Sequence, residues 1–434
     1  MDALKMFTRW WAGRYAVAAV SLLMLLNAAQ AQVAVPQEFA LKSGDRVVFY
    51  GDSITAQRLY TRLVEIMVVT RYPAMRVNFY SAGVSGDTVY GGHSGDAKER
   101  VLRDVAPFRP SVITVALGAN DGHYTLEGAD ATFLSYQKGY RTLLDLLKQN
   151  SDSGVRITLA SPVAYDEISR TGAPVTGYNN LLIRYGSFVK QLAGENRYGF
   201  ADFNHAMTTL LTAETKENPT AAQELYPDHL HPSVWGHWGL AAEMARTWGF
   251  DPLVSSVLLD AANAKVSSAQ KTGVTELTRT PTGLTWSQFD TALPLPLDIG
   301  DVLTQILIES SDIAQLDQQT LQVSGLNAGT YLLMIDGKNI APYTQQQLAA
   351  GVNLALLDTP MEQQARSVDW DGGERRAKLS AIRLNLMAQT PALVGRESAV
   401  KTLDALDAAM VDLEYKHAQP VIHHFELKVQ ANGH

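Results

Sequence analysis

Four short blocks in the sequence combine glycines with side chains that can do chemistry on a carbonyl group. A serine hydroxyl is a weak nucleophile, so it needs a base within hydrogen-bonding reach. Ser53 is the predicted nucleophile, because its block ends a short apolar run and precedes an amphipathic helical pattern. The blocks are Gly51-Asp52-Ser53-Ile54-Thr55, Ala82-Gly83-Val84-Ser85-Gly86-Asp87-Thr88, Leu117-Gly118-Ala119-Asn120-Asp121 and Asp228-His229-Leu230-His231-Pro232.

The fourth block supplies the base that Ser53 requires. His231 can accept the hydroxyl proton, and Asp228, three residues earlier on a tight turn, can fix the imidazole tautomer and stabilise the imidazolium formed during attack. His229 and His231 could instead be two ligands of a metal ion. Because no further ligands occur at fitting spacing, we predict that the site holds no metal.

The tetrahedral intermediate of such a reaction carries an oxyanion, which fixed hydrogen-bond donors must stabilise. The backbone amide of Ser53, the backbone amide of Gly86 and the side-chain amide of Asn120 are the three predicted donors. Glycine suits the second position because it lets the backbone approach the substrate closely. Two simpler interpretations stay open: Ser53 could only cap a helix, and Asn120-Asp121 could only form a turn.

Strand-like and helical patterns alternate between residues 44 and 250. This alternation predicts right-handed crossovers and an α/β fold with a five-stranded, flavodoxin-like parallel sheet covered by helices on both faces. The first three blocks each follow a strand, so they should share one edge of the sheet, and the fourth precedes the last helix. The predicted strands are 46–50, 76–81, 111–117, 155–161 and 199–203, and the predicted helices are 57–72, 97–105, 132–149, 178–193 and 233–247.

Taken in order, the four blocks resemble those of the SGNH (GDSL-like) hydrolase superfamily. The resemblance covers residues 44–250, about half of the chain. It implies a cofactor-free serine esterase on a flavodoxin-like sheet, and the second half of the chain is not part of the family's minimal domain. The family's blocks carry Ser, Gly, Asn and Asp-x-x-His, which correspond here to Ser53, Gly86, Asn120, Asp228 and His231.

Two positions depart from related patterns. Ser81 stands at the second block where many family members carry Asn, and this position is mostly structural. Thr55 stands where the nucleophile elbow of α/β-hydrolases, Gly-x-Ser-x-Gly, has its second glycine. The sequence therefore argues against the commoner lipase fold and predicts an open, shallow cleft suited to large acyl-bearing substrates.

The pattern changes after residue 252. Residues 253–434 are predicted to form a smaller, mixed α+β accessory module that follows a hydrolase domain of residues 40–252. The stretch 253–270, rich in Ala, Val and Ser, predicts a helix. Two hairpins are predicted, one from 274–278 with 284–289 and one from 321–323 with 330–335, and further helices are predicted at 343–350, 361–368, 375–387 and 398–414.

Residues 1–31 are typical of a secretory signal peptide rather than of folded structure. Lys5, Arg9 and Arg14 form a positive lead, residues 16–26 an apolar core, and Ala29-Gln30-Ala31 a small-x-small cleavage signal. A membrane anchor is the alternative, but the apolar run is short for a bilayer span. We therefore predict an exported protein, periplasmic or secreted, whose leader is removed.

The amino-acid composition indicates which classes of protein and of partner fit this chain. The 434 residues include 46% hydrophobic and 18% charged side chains, which is typical of a globular chain with a large core. A net charge of −8 makes nucleic acid a poor partner. The absence of cysteine excludes disulfides and thiol catalysis. No stretch after the leader is long and apolar enough to span a membrane.

The sequence-based conclusion is an exported serine esterase that releases a short acyl group, such as acetyl, from a polysaccharide or a smaller acylated molecule. A lipase, lysophospholipase or thioesterase of the same superfamily is one alternative. A non-catalytic carbohydrate-binding envelope protein is another, although its expected mark, a broken block, does not occur. The sequence leaves the oligomeric state open.

Overall fold

The central element of the fold is a parallel sheet in the first half of the chain. Its strands are β1 (Arg46–Gly51), β2 (Asn78–Gly83), β3 (Val112–Ala116), β4 (Arg156–Ala160) and β5 (Gly199–Ala201). In the computed structural model, which describes residues 38–310, 313–389 and 393–430, they lie in the order β2-β1-β3-β4-β5 with every neighbouring pair parallel. The predicted flavodoxin-like sheet is therefore confirmed, and each predicted strand overlaps an observed one.

Helices cover both faces of this sheet. The five predicted helices are present, with ends that differ by a few residues, and a four-residue helix precedes the first of them. The helices of this part are α1 (Ser53–Ala56), α2 (Leu59–Arg71), α3 (Ala97–Asp104), α4 (Ala129–Gln149), α5 (Tyr178–Asn196), α6 (Phe203–Glu217), α7 (Pro219–Leu225) and α8 (Val234–Thr247).

Helices α6 and α7 are absent from the sequence-based prediction, although both carry start signals. The Asp202 side chain accepts a hydrogen bond from the His205 backbone and so caps α6. Asn218 caps α7 in the same way, and Pro219 occupies its first position. Asp, Asn and a following Pro are favoured at helix starts, so these residues could have located both helices.

The two faces of the sheet build two separate cores. Along β1, Val47 and Phe49 pack with the cluster under α2 and α8, whereas Val48 and Tyr50 pack with the cluster under α4 and α5. All four side chains are at most 1% exposed. Burial on both faces explains why the strand is a continuous apolar run rather than an alternating one.

The second half of the chain builds two further sheets and a helical region, so the predicted mixed α+β architecture is confirmed. The strands are β6 (Leu253–Asp260), β7 (Lys265–Gln270), β8 (Thr272–Thr280), β9 (Gly283–Asp290), β10 (Gln318–Ser324), β11 (Thr330–Ile335), β12 (Lys338–Thr344), β13 (Val352–Asn353) and β14 (Ile422–Val429). One sheet has the strand order β8-β9-β14-β11-β12, and the other has the order β13-β10-β6-β7. The helices are α9 (Val302–Ser310), α10 (Gln345–Ala350), α11 (Pro360–Val368), α12 (Glu374–Ala388) and α13 (Arg396–His417).

Two sequence predictions in this half are wrong. The helix predicted at 253–270 is the pair of strands β6 and β7, which are antiparallel neighbours. The burial of Val257 and Leu259, two residues apart, on one face of β6 and the pairing of β6 with β10 override the helix preference of the alanines in this stretch, because strand preference depends on tertiary partners. The turn between β6 and β7 includes Ala264 with a φ of 48°.

The second predicted hairpin, 321–323 with 330–335, is also wrong. Strand β10 runs parallel to β6 in one sheet, whereas β11 pairs with β12 and β14 in the other. Local sequence contains no information on which distant strand is the partner. The first predicted hairpin, β8 with β9, is confirmed, and so are the later helices α10 to α13.

Residues after 252 pack closely against the first part of the chain. The Tyr415 hydroxyl accepts a hydrogen bond from the Val77 backbone at 2.8 Å and donates to the Met75 carbonyl at 2.9 Å. Buried Arg376 of α12 forms ion pairs with Glu65 of α2 and with Glu414 of α13. From Phe39 onward the chain is one compact unit, and the boundary between residues 252 and 253 stays a prediction.

The predicted signal peptide, residues 1–31, lies outside the described residues. Among the helices that the structure does describe, none combines the length and the apolar character that crossing a bilayer requires.

Candidate active site

The first block forms a tight turn from β1 into α1, and glycines make its packing possible. A Cβ atom on Gly51 would lie 2.2 Å from the Thr55 hydroxyl and 2.7 Å from the Ala116 carbonyl. A Cβ atom on Gly83, at the end of β2, would lie 2.4 Å from the Ala56 amide nitrogen. Helix α1 therefore rests directly on the carboxyl ends of two neighbouring strands, where open α/β folds place their ligands.

Ser53 is the first residue of α1, and Asp52 is its cap. The Asp52 carboxylate accepts a hydrogen bond from the Ile54 backbone at 3.0 Å. The interpretation of Ser53 as the helix cap is therefore wrong. A first-turn amide has no partner within its own helix, so the backbone N–H of Ser53 is a donor for another group.

The hydroxyl of Ser53 contacts the residue predicted as its base. Ser53 Oγ lies 2.9 Å from His231 Nε2, and His231 Nδ1 lies 2.9 Å from Asp228 Oδ2. The other oxygen of Asp228 accepts the backbone N–H groups of Leu230 and His231, at 2.7 and 2.6 Å. The fold thus brings the fourth block to the sheet edge that holds the first block. Hydrogen-bonding distances connect the Ser53 hydroxyl to the His231 imidazole and the imidazole to the Asp228 carboxylate.

Asp228 is an ionised carboxylate in spite of its partial burial. Burial acts to raise its pKa, but the hydrogen bonds from the backbone and ring of His231 and from the Leu230 backbone outweigh that effect and lower the pKa. A negative charge at this position favours the His231 tautomer with a proton on Nδ1, which leaves Nε2 free to accept a proton from Ser53.

The loop that carries His231 is held by the segment after β4. His229 Nδ1 lies 2.7 Å from the Asp166 carbonyl oxygen, and the Asp166 N–H donates to the His229 carbonyl at 2.8 Å. The Tyr165 ring stacks on His229, with 5.6 Å between ring centroids. Through these contacts His229 supports the loop that carries His231.

His237, in α8, is a structural residue. The Tyr60 backbone N–H donates to its Nδ1 at 3.1 Å, and its Nε2 lies 2.9 Å from the side-chain oxygen of Gln57. Burial lowers the pKa of His237 to about 3, so the ring stays neutral. Helix α8 is thereby fixed to the start of α2, close to Ser53 in the chain.

The predicted oxyanion donors come from three strand ends. Gly86 has a φ of +77°, and a Cβ atom on it would meet only the His93 ring, at 3.9 Å. Glycine is therefore favoured at position 86 by the backbone conformation and not by a lack of space for a side chain. The turn around it is closed by hydrogen bonds from the Val84 N–H to the Gly51 carbonyl and from the Asp87 N–H to the Val84 carbonyl.

Asn120 has both ends of its side chain engaged. Its Nδ2 donates to the Asp87 carbonyl at 2.9 Å, and its Oδ1 accepts a hydrogen bond from the Tyr124 hydroxyl at 2.6 Å. Because a carbonyl oxygen only accepts, the Asp87 contact fixes which end of the amide is nitrogen. One N–H of Asn120 is used here, and the second is available.

Buried carboxylates for which the sequence predicted no role support the blocks. Arg100, completely buried, donates to Asp87 at 2.7 Å and to the Ala82 carbonyl at 2.7 Å, and it pairs with Asp104. This cluster fixes the second block, because Arg100 contacts residues near both of its ends. Asp87, the next-to-last residue of the second block, was the feature of the sequence that could have indicated this ion-pair cluster.

Asp52 and Asp121 are buried carboxyl groups beside the predicted site. Asp121 accepts the Val89 backbone N–H at 3.0 Å and so links the second and third blocks. Burial raises the pKa of Asp52 and of Asp121 to about 7. Both groups are therefore partly protonated near neutral pH.

A residue from the second half of the chain contacts the segment next to His231. The Trp235 ring N–H donates to Asp301 at 2.9 Å, and Asp301 lies just before α9. The second half therefore helps to hold the start of α8, which directly follows the loop with the predicted base.

Comparison with known proteins places these features in a family context. Residues 49–238 match the GDSL-like lipase/acylhydrolase family. An acetylxylan esterase from Geobacillus stearothermophilus is 27% identical over 230 residues, which are 48% of this chain and 96% of that protein. A crystal structure of an acetylxylan esterase from the same organism is 26% identical, with a TM-score of 0.39 over 49% of this chain and 97% of that one.

One solved structure is similar over almost the whole chain. It is that of a gut microbial diltiazem-metabolizing enzyme, with 21% identity and a TM-score of 0.78 over 90% of this chain and 98% of that one. The same succession of parallel sheet, mixed sheets and helices therefore occurs in another protein. At this identity the likeness concerns the fold alone.

Proposed function

Residues 49–238 form a GDSL-like lipase/acylhydrolase domain, and from that premise we propose that this protein is a serine esterase that removes a short acyl group, acetyl in particular, from a carbohydrate. Ser53, His231 and Asp228 are its proposed catalytic residues. The observation that carries the proposal is the pair of 2.9 Å contacts that joins Ser53 Oγ to His231 Nε2 and His231 Nδ1 to Asp228 Oδ2.

In the proposed reaction, Ser53 Oγ attacks the ester carbonyl carbon while His231 Nε2 takes the hydroxyl proton. The carbon–oxygen bond to the leaving alcohol then breaks, and His231 gives its proton to that oxygen. Water enters, loses a proton to His231 and attacks the acyl-serine ester. The acid is released and Ser53 regains its proton. Asp228 stabilises the imidazolium in both halves of the reaction.

Each tetrahedral intermediate carries a negative oxygen, and three donors are proposed for it. They are the backbone N–H of Ser53 at the start of α1, the backbone N–H of Gly86, and the second N–H of the Asn120 amide. A donor of this kind contributes about 10²–10³ in rate, because it faces charge that exists only as the reaction proceeds.

The first experiment measures hydrolysis of an aryl acetate by the full chain and by Ser53→Ala. We expect the variant to lose at least about 10³ in kcat. Ser187→Ala is the matched control, since Ser187 lies on the outer face of α5 and bonds only to its own helix. Activity retained in Ser53→Ala would contradict the proposed nucleophile.

The acetyl preference and the carbohydrate leaving group are supported by the acetylxylan esterase relative and by the exposure of the site, where the side chains of His231 and Asp228 are 33% and 58% exposed. An aryl ester series from acetyl to octanoyl, followed by acetate release from acetylated xylo-oligosaccharides, tests both. We expect kcat/KM to be highest for acetyl and to fall with chain length. A rise with chain length would instead indicate a lipase or thioesterase type of hydrolase.

Export is proposed from the leader-like composition of residues 1–31 alone. Expression of the full chain in a Gram-negative host, followed by isolation of the periplasmic fraction and N-terminal sequencing, tests it. We expect a mature chain that starts after Ala31. A chain recovered only from the cytoplasm with an intact leader would contradict export.

A further inference from the structure

The loop that follows the third block contains two consecutive residues in the left-handed backbone region. His123 has a φ of 52° and Tyr124 a φ of 53°. This conformation is unfavourable for bulky side chains and persists only where the surroundings impose it. Such strain is concentrated at functional sites, so the contacts that hold Tyr124 here are informative.

Tyr178 of α5 holds this loop in place. The Tyr124 ring stacks on the Tyr178 ring, with 5.3 Å between centroids. The Tyr178 hydroxyl donates to the Ala119 carbonyl at 2.8 Å. Gly122 permits this approach, because a Cβ atom on it would lie 2.7 Å from the Tyr178 hydroxyl.

The strained conformation aims the Tyr124 phenol at one atom. Its hydroxyl donates to Asn120 Oδ1 at 2.6 Å, while Asn120 Nδ2 donates to the Asp87 carbonyl at 2.9 Å. The side-chain amide of Asn120 is thus fixed at both ends, and only its second N–H remains for a ligand.

We propose that Tyr124 is a positioning residue of the esterase, whose hydroxyl holds the Asn120 amide so that its second N–H faces the developing oxyanion. This inference rests on the proposed function and deepens it. Tyr124 acts through Asn120: the hydrogen bond restricts rotation of the amide, and a donor that is oriented before the reaction costs no reorganisation during it.

The phenol stays a donor throughout the working pH range. Burial, together with the nearby Tyr178, raises the pKa of Tyr124 well above its usual value.

Tyr124→Phe removes the hydroxyl and keeps the ring that stacks on Tyr178. We expect kcat on an aryl acetate to fall about tenfold, with KM within twofold and an unchanged Tm. A residue that only stabilised the fold would change Tm and leave kcat per folded molecule unaltered, so a lower kcat at unchanged Tm and KM separates the two roles.

A double-mutant cycle provides the decisive measurement. Asn120→Ala should lose about 10²–10³ in kcat. Because the hydroxyl acts only through Asn120, adding Tyr124→Phe to Asn120→Ala should cost nothing further. An unchanged kcat in Tyr124→Phe, or losses that multiply in the double variant, would overturn the inference.

Two controls complete the design. Tyr90→Phe removes an exposed phenol that donates to the Ser135 carbonyl at 2.8 Å, and it should retain full activity. Ser53→Ala separates the role of Tyr124 from the proposed function. If Ser53→Ala is inactive and Tyr124→Phe is normal, only the inference fails, whereas an active Ser53→Ala removes the proposed function and the inference together.

Discussion

Arg71 of α2 donates to the Asp317 carboxylate at 2.8 Å, and both side chains are completely buried although the residues lie 246 positions apart. The second oxygen of Asp317 accepts the Leu295 backbone N–H at 2.9 Å. The segment between β9 and β10 is therefore fixed to the helix that follows Ser53. The second half of the chain is part of the scaffold of the proposed site, not a separate attachment.

Asp317→Ala should strongly destabilise the protein, because it leaves the Arg71 guanidinium buried without its charged partner. We expect a loss of about 3–5 kcal/mol in the free energy of unfolding. Burial raises the pKa of Asp317 to about 7 against the attraction of Arg71, so the pair is fully ionised only above neutral pH. Urea unfolding at pH 8 is the appropriate measurement.

The chain offers a matched control for this variant. Asp412 also pairs across the two halves, with Arg76, but its side chain is 71% exposed. Asp412→Ala should cost less than about 1 kcal/mol, since exposed ion pairs contribute little. Similar losses in the two variants would contradict the importance of burial at Asp317.

A second prediction concerns the pH dependence of stability. Burial raises the pKa of Asp52 to about 7, although the hydrogen bond from the Ile54 N–H acts in the opposite direction. Between about pH 4 and 7 the folded protein keeps this proton while the unfolded chain releases it. The stability contributed by Asp52 is therefore complete below pH 4 and is lost as the pH rises to 7.

Asp52→Asn should remove this loss and keep the acceptor for the Ile54 N–H, because Asn is also a good helix cap. Relative to the wild type, the variant should gain stability from pH 4 to 7, by up to about 4 kcal/mol. Urea unfolding over this pH range measures the difference. Asp130→Asn, on a side chain that is 89% exposed, is the control, and a wild-type profile parallel to that of Asp52→Asn would refute the prediction.

The parallel sheet and the proposed site could be predicted from the sequence because local and tertiary preferences agree there. Strand β1 is apolar from Val47 to Tyr50 because both of its faces are buried, and each of the first three blocks lies at the end of a strand. Ser53 and His231 can be related from sequence because the first block ends a strand and the fourth precedes the last helix of one alternating pattern.

The second half could not be predicted to the same extent, because its partners are distant. Strand β6 pairs with β10, and Arg376 forms an ion pair with Glu65. In both cases the local sequence of one partner does not indicate the other. The role proposed for Tyr124 could likewise not be predicted, because it depends on a backbone conformation that a tyrosine does not favour. A positive φ at a non-glycine residue becomes visible only in three dimensions.

A third prediction tests the conformation of the second block. Gly86 has a φ of +77° and open space around the position of a Cβ atom, so Gly86→Ala introduces backbone strain without a clash. We expect a stability loss of about 1–2 kcal/mol. If the backbone relaxes to relieve the strain, the Gly86 N–H turns away from the oxyanion, and kcat on an aryl acetate should fall by about 10²–10³.

Gly154→Ala separates strain from function. Gly154 has a φ of +79° and likewise no atom near a Cβ position, but it lies just before β4, at the opposite end of the strands from Ser53. Its alanine variant should lose about the same stability as Gly86→Ala and keep its kcat. Equal effects of both variants on kcat would mean that Gly86 acts through general stability, and its amide would then have no part in holding the oxyanion.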